Sequence, residues 1–147
     1  MLHAQSPGSK RVARILVAED DDDGREALSV ALREIGAEVD TVADGGRFLV
    51  MIGSFYREGN TARAPDLIVA DVLMPVCSGL SVFEALRAAG WTTPVILISA
   101  MDSPHVRASA ACHGATFMHK PLDLDALLRT ARRLIAAANP GQTISTG

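Results

Sequence analysis

The sequence predicts a doubly wound α/β fold, a five-stranded parallel sheet with helices on both faces, and three observations predict it. Short, continuous apolar runs recur (ILVA at 15–18, LIVA at 67–70, VILI at 95–98), as expected of strands buried on both faces. Between the strands lie longer segments whose apolar residues repeat at helical spacing. The strand–helix alternation occurs five times, which connection rules resolve as parallel strands joined by crossover helices.

The first strand, Ile15–Ala18, stops abruptly in acid. The first helix is placed over Gly24–Ile35, with Ala27, Leu28, Ala31, Leu32 and Ile35 at helical spacing and Gly36 as the stop. Asp22 or Asp23 is read as its N-cap. A second strand is expected over Glu38–Val42. The helix that follows starts near Asp44 or Gly45 and carries Phe48, Leu49, Met51, Ile52 and Phe55. A polar stretch, 57–64, reads as a loop before the third strand, which ends at Asp71. The third helix runs from Gly79 or Leu80 to Ala88, and Pro94 introduces the fourth strand. Ser103-Pro104 supplies a cap and a proline at the first helical position for a helix to about Cys112. Thr116–His119 is the fifth strand, and Asp123 caps a last helix from Leu124 to about Asn139.

A chain of 147 residues suits one domain, and 48% hydrophobic against 21% charged residues suits a soluble globular one. The domain is assigned to 11–139; the small, polar ends 1–10 and 140–147 are expected to be disordered tails. A net charge of -3 leaves no basic face for phosphates, which argues against direct nucleic-acid binding. Arg129, Arg132 and Arg133 read as a solvated helix face. Cys77 and Cys112 lack disulfide or zinc spacing. With no secretory signal and no apolar run long enough for a bilayer, no membrane association and a cytoplasmic location are expected.

Ligands of open parallel sheets bind beyond the carboxyl ends of the strands. Those ends carry Glu19-Asp20, Asp71, Ser99-Ala100 and Lys120-Pro121. Clustered carboxylates repel unless a cation intervenes, and hard oxygen ligands with open positions favour Mg²⁺. A carboxylate can itself be the nucleophile that forms an aspartyl phosphate, with Lys120 and Ser99 as partners for the phosphoryl oxygens.

These four motifs, in this order and each at a strand end, resemble the receiver domain of two-component response regulators over nearly all of 14–139. The resemblance implies a flavodoxin-like sheet in the order 2-1-3-4-5. It implies that Asp71 accepts a phosphoryl group from a histidine kinase or histidine phosphotransfer protein, with Mg²⁺ held by Glu19, Asp20, Asp71 and the Leu73 carbonyl. Ser99 and Phe117 are the implied switch pair, Lys120 completes the site, and the Lys120–Pro121 peptide is expected to be cis. The helix four–strand five–helix five surface would change, signalling to a downstream protein or a fused output domain. No external substrate is turned over; such a domain assists only its own phosphorylation and dephosphorylation. Pairing of two copies through that surface is permitted by Ala108, Ala110 and Ala111.

The pattern departs from the family at several points. Glu19 stands for the commoner Asp, Ser99 for Thr, and Phe117 where Tyr is common. Leu73 and Met101, positions that often carry polar side chains in receivers, are apolar, and slow hydrolysis of the phosphorylated form is the hypothesis drawn from them. Ser54–Pro65 is several residues longer than usual, either as a helix extension or as a partner-specific loop. Two other functions fit the pattern less well. A phosphatase of the haloacid dehalogenase type lacks its second acid, since Leu73 occupies that place. A degenerate receiver acting only as a binding module conflicts with the intact site.

Overall fold

The computed structural model describes residues 11–57, 64–138 and 142–143. Five strands form one sheet: β1 (Arg14–Ala18), β2 (Glu38–Val42), β3 (Leu67–Asp71), β4 (Val95–Ser99) and β5 (Thr116–His119). They lie parallel in the order β2-β1-β3-β4-β5, as the family resemblance implies. The helices between and after them are α1 (Asp22–Arg33), α2 (Gly45–Arg57), α3 (Gly79–Ala88), α4 (Pro104–His113) and α5 (Leu124–Ala138).

Successive strand residues point to opposite faces, so each apolar run feeds two cores. Ile15, Val17, Leu67, Val69, Ile96 and Ile98 face α1 and α5, which contribute Leu28, Leu32, Leu127 and Ile135. Leu16, Ala18, Ile68, Ala70 and Leu97 face α2, α3 and α4, which contribute Phe48, Ile52, Phe83, Leu86 and Val106. This double burial is why the runs contain no polar residue.

Capping sets the helix starts. Asp44 accepts the Arg47 N–H at 2.7 Å, Ser78 that of Ser81 at 3.1 Å, and Asp123 that of Ala126 at 3.1 Å. Ser103 caps α4 ahead of Pro104, as its sequence predicts. The first helix differs from expectation. Its cap is Asp21, whose side chain accepts the Gly24 N–H at 2.7 Å, so Asp22 and Asp23 are the first helical residues and neither is the cap. The helix begins two residues before Gly24 because the cap must sit three residues ahead of the N–H it satisfies. Their two carboxylates then lie in the first turn, where the helix dipole favours negative charge.

Three further expectations change. Ala27 and Leu49 are exposed, so the apolar stripes of α1 and α2 are narrower than their spacing suggests. Ala110 points into the core beside Val106, which leaves Ala108 and Ala111 on the outer face of α4. Gln142–Thr143, assigned above to a flexible tail, pairs in parallel with Arg11–Val12 as a separate two-stranded ribbon. Asp66 ties the ribbon's first strand to the sheet: it accepts the Arg14 N–H at 2.8 Å and pairs with Arg11 at 3.0 Å. In the stretch 54–65, expected above to be longer than usual, α2 continues through Arg57, and residues 58–63 lie outside the described residues.

Candidate functional site

Three strand ends bring the predicted residues together. Glu19 follows β1, Asp71 ends β3 and Lys120 follows β5, 101 residues from Glu19 in sequence. The Lys120 Nζ donates to Glu19 Oε1 at 2.7 Å and to Asp71 Oδ2 at 2.6 Å, bridging two carboxylates that are 1% and 4% exposed. The Lys120–Pro121 peptide is cis, as expected, and the Lys120 N–H donates to the Ser99 carbonyl at 2.8 Å. The other oxygen of Asp71, Oδ1, accepts the Leu73 N–H at 3.0 Å. Each Asp71 oxygen therefore has one donor: an ammonium for one and a backbone amide for the other.

Oxygen atoms of Glu19, Asp20 and Asp71 lie within 4.8 Å of one another, close enough to ligate one ion. Asp20 is exposed while the other two are buried, so such an ion would keep an open, water-facing side. This donor set fits a hard divalent cation such as Mg²⁺. The electrostatics agree. Burial, the largest influence, and the neighbouring Asp71 together outweigh the Lys120 hydrogen bond and push the Glu19 carboxyl up to about 7. One lysine is too little positive charge for this cluster. For Lys120, burial alone would lower its pKa, but the Asp71 and Glu19 hydrogen bonds prevail and raise it, so it stays cationic.

Ser99 is 1% exposed, and its hydroxyl accepts the Met101 N–H at 3.0 Å, closing the start of the β4–α4 loop. Phe117 is half-buried against the core on the α4 side, with the Arg107 guanidinium 4.6 Å from its ring centroid. Leu73 and Met101, whose backbone amides donate to Asp71 and Ser99, have apolar side chains that are 50% and 55% exposed.

Two glycines and one valine shape the loop after Asp71; the sequence marks Gly79, with Met74-Pro75, as part of a turn there, but not the close approach at Gly45 or the strain at Val76. A Cβ on Gly79 would lie 2.1 Å from the Asp71 carbonyl oxygen, and one on Gly45 would lie 1.7 Å from that of Cys77. Both positions require glycine because backbone passes there. Val76 has φ 74°, and the Cys77 N–H donates to the Pro75 carbonyl at 2.9 Å, closing a three-residue γ-turn around it. A β-branched residue at positive φ is strained, and Val76 is 88% exposed, so no burial of its own side chain offsets the strain. A Met-Pro pair followed by Ser-Gly marks a turn here, but nothing in residue type points to valine as its apex.

The fold and this rim define a flavodoxin-like α/β domain with an acidic site at the carboxyl ends of its parallel strands. The chain matches the response regulator receiver domain over residues 15–132 and belongs to that family. It is 33% identical over 131 residues to the alkaline phosphatase synthesis transcriptional regulatory protein SphR of Synechococcus elongatus, covering 88% of this chain and 51% of that one. It is 36% identical over 128 residues to the response regulator MprA of Mycobacterium avium, covering 86% of this chain and 53% of that one. The chain thus spans about half the length of the curated relatives it matches. Among solved structures, the Francisella response regulator 1452 receiver domain superposes with a TM-score of 0.75 at 29% identity, covering 86% of this chain and 99% of that one. The Vibrio cholerae chemotaxis protein CheY4 superposes with a TM-score of 0.68 at 31% identity, covering 84% and 98%. Among the described residues no helix is long and apolar enough to cross a membrane.

Proposed function

We propose that this receiver domain works in two-component signalling by accepting a phosphoryl group on Asp71 from a phosphohistidine of a kinase or phosphotransfer partner. The observation that carries the reading is the pairing of both Asp71 oxygens. Lys120 and the Leu73 amide hold the carboxylate in place, so it meets a donor without reorganising. A carboxylate oxygen attacks phosphorus as the bond to the imidazole nitrogen breaks, and the donor's imidazole leaves. Lys120, already 2.6 Å from Asp71 Oδ2, then pairs with the negative charge gathered on the phosphoryl oxygens. Glu19, Asp20 and Asp71, with the Leu73 carbonyl, would hold Mg²⁺, which when bound offsets the same charge. Ser99 leaves its bond to the Met101 N–H to reach the new phosphoryl oxygens, and Phe117 follows it. The surface of α4, β5 and α5 thereby changes its preferred partner.

The domain in this reading is a switch whose only chemistry is on itself. SphR is named as a transcriptional regulatory protein and is about twice as long as the matched segment, so the absence of nucleic-acid contact expected above concerns this domain alone. The test is transfer from a radiolabelled phosphohistidine donor. Label should move to the chain, be released by hydroxylamine as an acyl phosphate is, and be absent with Asp71→Asn. Label stable to hydroxylamine, or retained by the variant, would overturn the assignment.

A further inference from the structure

Arg107 does not belong to the acceptor site, yet two contacts connect it to both halves of the proposed switch. Its guanidinium carbon stands 4.6 Å from the centroid of the Phe117 ring, within reach of a cation–π attraction. Its Nε is ion-paired with Asp102, in the β4–α4 loop three residues beyond Ser99. Asp102 answers with a carboxyl held below the ordinary range, first by the Arg107 hydrogen bond. The same loop begins with the Ser99–Met101 bond that must open when Ser99 moves. Loop, arginine and ring therefore form one connected set, and α4 carries the middle member.

We infer that Arg107 is a positioning residue for the switch, pinned by Asp102 and holding the Phe117 ring in its resting place. The inference rests on the proposed phosphorylation of Asp71. In the resting arrangement the Ser99 hydroxyl is engaged within its own loop and Lys120 is engaged by the two carboxylates. The latch is made in that arrangement, and movement of the loop with Ser99 carries Asp102 away and breaks it. Arg107 and Asp102 are both exposed, so the latch can be removed without opening the core. It sets how readily the ring follows the acceptor, and it contributes nothing to the acceptor's chemistry.

The test uses the whole chain with ring-labelled phenylalanine and follows Phe117, assigned with Phe117→Leu, by NMR during titration with beryllofluoride and Mg²⁺. Arg107→Ala should lower the beryllofluoride concentration at half-response by about two- to fivefold, the size of one exposed cation–π contact. Asp102→Asn should shift it in the same direction. Arg107→Gln, which keeps part of the stem and loses the charge, should match Arg107→Ala and guards against a folding defect in the latter. With Phe117→Leu in place, the response is read from backbone amides around Ser99, and Arg107→Ala should then have no effect. A midpoint unchanged or raised by Arg107→Ala, or lowered equally in the Phe117→Leu background, overturns the latch. Intact mass after acetyl phosphate treatment separates the two readings. A wild-type chain that gains no phosphoryl group refutes the acceptor and the latch with it, whereas a phosphorylated chain whose Phe117 ring does not move refutes the latch alone.

Discussion

Glu19→Gln should stabilise the metal-free protein at pH 8, although it removes a charge from the centre of the site. Burial first, then Asp71, raises the Glu19 carboxyl from an ordinary 4.5 to about 7. A carboxyl with a raised folded-state value keeps its proton longer in the folded chain. Stability therefore falls as pH rises from about 4.5 to about 7, and the loss is complete above that. At about 1.4 kcal/mol for each pH unit between those two values, the penalty at pH 8 is at most about 3.5 kcal/mol. Glutamine escapes it and still offers Lys120 an acceptor oxygen at the position of Glu19 Oε1. It loses only the long contact from the Asp21 N–H to Oε2, 3.4 Å, at a cost of about 1 kcal/mol or less. The net gain is about 2 kcal/mol, which is about 4–8 °C in Tm for a chain of this size. The assay is urea unfolding of both proteins in EDTA from pH 5 to pH 8, taking the difference so that other titrating groups cancel. The variant should overtake the wild type between pH 5 and 7. Adding Mg²⁺ should then reverse the order, because a ligand at a hundred times its Kd stabilises by about 2.7 kcal/mol and the variant binds it poorly. A variant less stable than the wild type at pH 8 in EDTA would refute the reasoning.

Three other outcomes are expected. Val76→Gly relieves the positive-φ strain at the γ-turn and should raise stability by about 1 kcal/mol, after the greater chain entropy of glycine is subtracted; the urea midpoint should rise with the slope unchanged. Arg87→Ala should lower stability by about 2–3 kcal/mol, since the Arg87 guanidinium donates to the carbonyls of Trp91, Thr93 and His113 at 2.8–3.0 Å and lies over Phe83; thermal unfolding reads it. The aspartyl phosphate should persist well beyond seconds in Mg²⁺ buffer, because neither Leu73 nor Met101 can orient an attacking water, and Leu73→Gln should shorten its life. A wild-type lifetime of seconds, followed by intact mass, would contradict that account.

The parts legible in the sequence were those where burial and chemistry leave marks on residue type. Strands buried on two faces exclude polar residues until the rim, so Glu19, Asp71 and Ser99 stand out as the first polar residues after apolar runs. Cap residues read well where a single candidate exists, as at Ser103 and Asp123, and less well in the run 20–23, where four aspartates compete and backbone geometry chooses Asp21. The two-residue pairing of 11–12 with 142–143 is too short to carry a period. The bridge from Lys120 to Glu19 and Asp71 joins residues 101 and 49 apart, and only the assembled sheet reveals it. Val76 is the opposite case, since conformational preference argues against finding it where it is. The Arg107 contact to Phe117 is set by the rotation of α4 over β5, which spacing alone does not determine.

The central claim, that Asp71 is the phosphoryl acceptor, is most directly tested by intact-protein mass after incubation with acetyl phosphate and Mg²⁺, beside an Asp71→Asn control. The account predicts a gain of one phosphoryl mass in the wild type and none in the variant. No gain at any Mg²⁺ concentration, or an equal gain in the variant, would contradict it.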